Sequence, residues 1–470
     1  MNGCAGRSAW HPPAGRNAPQ SGCAAGVKRC FHGLDTLART GVECVRSTPD
    51  VVIALSRRVL DPGSIGSRAM SEPGRWCPHE GREVRVPMSL DPTDTAGPAA
   101  SSASLSLDGT MPAWAARVDG NPPAAFVDSC LRGVGQVCFM NNPVTGLAIV
   151  VAMFVAEAWL GFAGVLGLVV STLTAIALGM DRGAIRAGLF GFNGILVGAG
   201  MSLFLQPDWD GVVMVWIALG AALSTVLHAA LANVFIGAWK VPPFTLAFNF
   251  MTLMFLIGAL NYANGRLGGL VAPADAQVTS GSVSNTLRSA ADAASANNIE
   301  GILNAIFRGI SQLFFANSVV AGIIIVVGLA VCSRIAAIFA LVGSTVGMLT
   351  GLAVGASGVA IYNGLWGFNS FDAALAIGGV FFVLTVRTGV LAVACAVLAA
   401  LLFGAIGTLF LPWGLPALTL PFCFATLAFV LLKGASTKLE PVAVEDITTP
   451  EEHLRGVRDT EGVGRAAVPA

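Results

Sequence analysis

Gly188-Leu189-Phe190-Gly191-Phe192-Asn193 returns 176 residues later as Gly364-Leu365-Trp366-Gly367-Phe368-Asn369, identical at five of six positions. The same shift carries Arg132-Gly133 onto Arg308-Gly309, Gln136 onto Gln312, Phe139 onto Phe315, Asn141 onto Asn317 and Gly146 onto Gly322. One constant offset held over so long a stretch marks an internal duplication. With a shift of 174, Pro242 and Thr245 meet Pro416 and Thr419. Two columns of small residues also align, Gly167, Ser171, Ala175 and Gly179 with Gly343, Gly347, Gly351 and Gly355. At four-residue spacing each column lies on one helix face, where small residues let backbones pack closely.

The duplicated region is built for lipid. Apolar residues make up 54% of the 470-residue chain and charged residues only 11%, too few to cover a soluble surface. Apolar runs fill residues 144–433 almost continuously. The expected fold class is therefore an all-α polytopic membrane protein. A net charge of zero argues against a nucleic-acid partner. The cysteines form no CxxC pair and no Cys/His cluster with metal spacing, so neither a disulfide framework nor a metal or cofactor is indicated. Residues 1–125 lack a sustained period and are rich in Gly, Pro, Ser and Ala, and they read as a disordered extension. A targeting peptide would need a longer apolar run than residues 51–55, and a true start at Met88 or Met111 is the other explanation. Residues 434–470, with Glu445, Asp446, Glu451 and Glu452, read as a solvated cytoplasmic tail.

The two copies occupy residues 126–265 and 301–433, joined by a loop over 266–300. Each holds five apolar stretches: 144–160, 162–179, 189–206, 211–238 and 243–263, then 319–331, 335–355, 370–387, 388–409 and 416–433. If all five cross, an odd number of spans forces the second copy to enter from the opposite face, which makes an inverted repeat. With both termini inside, Arg182, Arg186, Lys240, Arg334, Arg387 and Lys433 all fall on the cytoplasmic side, as positive-inside topology requires.

Before the first span of each copy lies a shorter segment, Ser129 to Phe139 and Gly301 to Phe315, read as a half-membrane helix. Such an element is tolerated only where protein or a water-filled cavity satisfies its ends, so it tends to line a pathway. On each, a Gln precedes a Phe by three residues, Gln136 with Phe139 and Gln312 with Phe315, so amide and ring share a face. An amide offers acceptor and donors without net charge, and rings can wall a slot, which suits a small, flat, neutral solute bearing NH2 groups. Phe192 and Phe368 serve either as packing residues or as walls of that slot. Thr245 and Thr419 either bond their own backbone one turn back or make a polar contact at the narrow centre. Glu157 reads as interfacial, His228 as a packed or hydrogen-bonded helix residue, and Asp372 as a carboxylate at the start of a helix, stabilised by the dipole. No nucleophile, acid/base pair or metal cluster assembles in the spans, so an enzyme is not expected.

These residues resemble the urea transporter family over about 126–433. The resemblance is carried by Gly135-Gln136-Val137-x-Phe139-x-Asn141-Asn142-Pro143, the two Gly-Leu-x-Gly-Phe-Asn runs and Leu415-Pro416-Ala417-Leu418-Thr419-Leu420-Pro421-Phe422. It implies a homotrimer in the lipid bilayer with one passive, channel-like urea pore per subunit. Each half would supply five spanning helices and one re-entrant half-helix. It further implies an oxygen ladder at Gln136 and Gln312 and slot rings at Phe139, Phe192, Phe315 and Phe368. Val137 and Leu313 follow the ladder residues, Leu196 adds an apolar wall, and Thr245 and Thr419 flank the central constriction. Channels for another short amide, ammonia or water remain the nearest alternative. Two departures stand out: Asp372 occupies the position corresponding to Leu196, and Asn142-Pro143 becomes Ser318-Val319.

Overall fold

Prolines mark where the first helices begin. In the computed structural model, which describes residues 106–205, 209–268 and 298–457, Pro112, Pro122 and Pro143 sit in the first turns of α1 (Pro112–Asp119), α2 (Pro122–Gln136) and α3 (Pro143–Ala156). There the missing N–H costs no hydrogen bond and the fixed φ suits the helix. Asn142 caps α3 by accepting from Val144 N–H at 2.8 Å and Thr145 N–H at 3.1 Å. Next come α4 (Ala158–Ala177), the short α5 (Arg182–Arg186), α6 (Phe192–Phe204), α7 (Gly211–Val234, widening into a π-turn over Phe235–Trp239) and α8 (Leu246–Ala259).

The second half repeats this order. It comprises α9 (Asn298–Ser311, ending in a 3-10 turn Gln312–Phe314), α10 (Val319–Cys332), α11 (Arg334–Ala353), α12 (Gly358–Tyr362), α13 (Phe368–Leu375, continuing as a π-turn Ala376–Val380), α14 (Val386–Phe410) and α15 (Leu420–Val430). The helices α10, α11 and α12 begin and end 176 residues after α3, α4 and α5, and α13 with its π-turn matches α6 in the same way. Residues with positive φ pair at these offsets too: Phe139 (60°) with Phe315 (59°), Gly188 with Gly364 (both 76°), and, at 174, Phe244 (50°) with Leu418 (49°). At Gly188 and Gly364 only glycine fits, because a side chain would also run into the backbone of Gly133 and Gly309 respectively.

The described residues contain no β-strand, only two isolated bridges. Among the described residues, four helical segments are long and apolar enough to cross a hydrocarbon core of roughly 30 Å: Ala158–Ala177, Gly211–Trp239, Arg334–Ala353 and Val386–Trp413. A fifth candidate, Ile299–Phe314 with Val319–Cys332, is bent by 74°, and α3, α6, α8 and α15 are shorter apolar helices. Large apolar side chains on the outer faces stand exposed, among them Val215, Val390 and Leu409. The protein is a multi-pass, all-helical membrane protein. The small-residue columns lie against neighbouring helices: Gly167 approaches the Gly194 carbonyl, and Gly343 approaches that of Ser370.

Three stretches differ from the sequence expectation. Residues 106–125, read as part of the extension, contain α1 and the start of α2, and their backbone is held from the membrane body. Asn142 Nδ2 donates to the Leu107 and Gly109 carbonyls at 2.9 and 2.7 Å, and Gly109 N–H donates to Cys332 O at 3.1 Å. The tail is docked rather than solvated as far as residue 457: Val383 N–H bonds Glu440 O at 3.0 Å, Ile335 N–H bonds Glu451 Oε1 at 2.9 Å, and His453 Nδ1 lies 2.8 Å from Gly379 O. Asp372 does not begin a helix. The helix α13 starts at Phe368, placing Asp372 beyond the first turn, where the dipole gives little support. The extension over residues 1–105 lies outside the described residues.

Candidate functional site

The helices α2 and α9 end in the same way, and that ending sets the site. Phe139 N–H bonds Gln136 O at 3.0 Å and Met140 N–H bonds Gly135 O at 2.9 Å, the pair of bonds that closes a helix on a left-handed residue. Phe315 and Ala316 repeat it, bonding Gln312 O at 2.9 Å and Ser311 O at 3.1 Å. Glycine ordinarily takes the left-handed position; a phenylalanine there costs about 1–3 kcal/mol, so surrounding contacts must hold it. They do. The Phe139 ring meets Phe381 at 5.4 Å, Phe422 at 6.2 Å and Phe244 at 6.3 Å, and the Phe315 ring meets Phe248 at 6.1 Å and Phe204 at 6.2 Å. Phe381 and Phe422 belong to the second half, Phe204 and Phe248 to the first, so each ring is held by partners from the opposite half.

Both glutamines are oriented from the backbone. Gln136 Nε2 donates to Ala187 O at 3.0 Å, and Gln312 Nε2 donates to Asn363 O at 2.9 Å, positions again 176 apart. Because only the NH2 can meet a carbonyl, the amide cannot flip without losing this bond, and each Oε1 is left with no partner among the described residues. Gln136, Gln312, Phe139 and Phe315 are all partly exposed, whereas Val137, Leu196 and Leu313 are enclosed.

Phe192 and Phe368 are both buried to the same degree. Phe192 stands edge-on to His228 at 5.0 Å, and Phe368 stands edge-on to Phe403 at 5.7 Å. His228 is packed and lies 3.2 Å from Asn193 Nδ2. Thr245 and Thr419 meet each other, hydroxyl to hydroxyl, at 2.7 Å. Asn249 ties the pair together, donating to Thr419 Oγ1 at 2.8 Å and to Thr245 O at 2.9 Å while accepting from Thr419 N–H at 3.0 Å. The threonines are thus brought together directly, and neither spends its hydroxyl on a carbonyl one turn back.

Sequence reasoning passed over the asparagines that position these parts. Asn193 Oδ1 accepts from Phe248 N–H at 3.0 Å, and Asn369 Oδ1 accepts from Phe422 N–H at 3.0 Å. Each satisfies an N–H in the first turn of α8 or α15 that has no partner within its own helix. The signal was present: a buried polar residue recurring beside a ring in both Gly-Leu-x-Gly-Phe-Asn runs. Phe422 repeats Phe248 at the 174-residue shift, a signal that was also passed over, whereas Phe244 and Phe381 have Leu418 and Leu205 as counterparts and carried no such repeat.

The arrangement offers two amide oxygens without partners among the described residues, a ring three residues after each and a shared hydroxyl pair, with no ion pair among these residues. A family model described as "Urea transporter" matches residues 127–434. "Urea transporter 1" of Capra hircus is 34% identical over 348 residues, covering 74% of this chain and 88% of that protein. "Urea transporter 1" of Mus musculus is 35% identical over 329 residues, covering 70% of this chain and 82% of that protein. The residues so matched include the ends of α2 and α9, the paired rings and the threonine contact, and the chain belongs to the urea transporter family, whose members are channels or transporters rather than enzymes.

Proposed function

We propose that the chain carries urea passively across a cell membrane, through a narrow slot in which Gln136 and Gln312 present acceptor oxygens and phenylalanines press on the flat faces of the solute. Urea shedding its water must replace the hydrogen bonds of its N–H groups or meet a penalty of roughly several kcal/mol. The single observation that carries this function is the matched anchoring of the two glutamines, each with Nε2 on a carbonyl and Oε1 free, beside a ring held in a left-handed turn. Phe139, Phe192, Phe315 and Phe368 form the walls, with Val137, Leu196 and Leu313 as apolar lining. Thr245 and Thr419 mark the midpoint. The amide and hydroxyl groups of the slot do not repay the cost of stripping sodium or ammonium, so both are excluded.

The two halves are inverted copies, each with five crossing helices and one re-entrant half-helix. Equivalent residues that touch, as Thr245 and Thr419 do, lie on the axis relating the copies, which supports a two-fold arrangement. Both termini lie in the cytoplasm. In support, the Gly109 strap, the start of α11 beside Arg334 and the docked tail gather at one end, and Lys433 Nζ donates to Lys240 O. Three copies assemble, each with its own pore, and the exposed apolar faces suit lipid and neighbouring subunits.

The test is urea flux in liposomes containing the purified chain. Gln136→Ala and Gln312→Ala should each slow urea by about tenfold, the loss of one charge-free hydrogen bond at a desolvated position. Unchanged flux in both variants would overturn the ladder.

A further inference from the structure

Asp372 is where the two halves part most in chemistry. Its counterpart Leu196 is apolar and enclosed; Asp372 is equally enclosed, at 0% exposure, and neither carboxyl oxygen has a hydrogen-bond partner. A buried carboxyl without a partner is costly, and removing the partner of a buried ion typically costs several kcal/mol, so its retention calls for an occupant.

The packing of α13 fixes where the side chain points. Ser370, Phe371 and Ala374 lie against α11 at Gly343, and Ser370 Oγ also donates to Ala396 O of α14 at 2.8 Å. Asn369 faces α15 through Phe422 N–H. The remaining face carries Phe368 and, one turn on, Asp372. In the first half that face is Phe192, Leu196 and Gly200, and a Cβ placed on Gly200 would sit 3.3 Å from the Phe315 ring. The shared register turns the Asp372 face toward the Phe139 turn.

We propose, on the slot assignment above, that Asp372 forms a binding site inside the pathway for a planar cation with paired N–H donors, a guanidinium or amidinium. Two parallel N–H groups match two carboxylate oxygens in a bidentate pair. Guanidinium is more weakly hydrated than an ammonium, so stripping its water costs less than for sodium or ammonium. Its flat shape resembles that of urea and lets it lie against the Phe139 and Phe368 rings with cation–π attraction. A single carboxylate holds such a cation without offering it an onward site, so guanidinium slows urea rather than following it.

The experiment follows urea efflux from liposomes containing the native chain or Asp372→Leu, with guanidinium chloride or sodium chloride outside at equal millimolar concentration. Guanidinium should slow flux through the native chain while sodium does not, and its half-inhibiting concentration should rise about tenfold or more in Asp372→Leu and in Asp372→Asn. Equal effects of the two salts on the native chain, or unchanged inhibition in both variants, would overturn the site. Thermal unfolding in detergent gives a readout that does not need transport: guanidinium should raise the native midpoint relative to sodium and leave that of Asp372→Leu unmoved. A native chain that shows this shift but carries no urea overturns the transport function and keeps the site. A native chain that carries urea, with neither guanidinium inhibition nor a shift, overturns the site alone.

Discussion

The two halves share their backbone and differ in their polar side chains. Helix ends, left-handed residues and the glutamine anchors recur at one offset, while Asp128 becomes Asn304, Asn142 becomes Ser318, Gly135 becomes Ser311 and Leu196 becomes Asp372. In the first half Arg132 pairs with Asp128 at 2.8 Å and binds Thr110 O, and Arg186 reaches the same carboxylate at 3.3 Å. In the second half Arg308 pairs with no carboxylate among the described residues; it lies 4.2 Å over the Tyr362 ring and bonds Asn363 Oδ1 at 3.2 Å. At Gly135 a side chain would strike the Met140 carbonyl, yet Ser311 is accepted because its hydroxyl donates to the equivalent carbonyl of Ala316. Close backbone approach dictates the shared geometry, and side-chain chemistry can diverge wherever a substitute satisfies the same groups.

The largest break in this comparison should come at the buried ion pair. Asp128→Asn leaves the Arg132 guanidinium enclosed beside a neutral amide and should cost about 3–5 kcal/mol, read as a fall in thermal stability in detergent. The reverse change in the other half, Asn304→Asp, gives Arg308 a carboxylate at the matching position and should be neutral or stabilising. If Asp128→Asn is tolerated as well as a surface change, the ionic asymmetry is unimportant.

Gly188→Ala and Gly364→Ala come next, and they sharpen the comparison because they should be equal. Each puts a Cβ on a left-handed residue and against a glycine backbone, for a loss of about 2–3 kcal/mol apiece. Unfolding midpoints that differ widely between the two would show that the halves are not packed alike. The smallest effect is expected at the centre. Thr245→Val and Thr419→Val each remove one side of the shared hydroxyl contact, at about 1 kcal/mol, and Thr419→Val should cost more because it also strips a partner from Asn249.

Much of this was legible in the sequence. The duplication, the apolar runs and the two Gln-x-x-Phe segments follow from spacing and hydropathy, and most apolar stretches are helical, though α2 begins at Pro122 rather than Ser129 and the stretch 370–387 breaks between Val380 and Val386. The misreadings of the two ends share one cause: local composition was taken as solvent exposure. The acidic residues of the tail look solvated, but Glu451 caps an N–H of α11 and His453 meets the break at Gly379, contacts set by tertiary packing. Asp372 looked like a helix start because the apolar stretch was read from residue 370, whereas the helix begins at Phe368. Ring partners such as Phe244 and Phe381 have no aromatic counterpart in the other half and come together only through the fold, so no spacing rule could have named them.

The most direct test of the central claim, that the duplicated halves enclose one pathway for urea, is stopped-flow light scattering of liposomes holding the purified chain under an inward urea gradient. Urea should equilibrate far faster than in protein-free liposomes, with sodium permeability unchanged between the two. Urea equilibration no faster than through bare lipid would contradict the account.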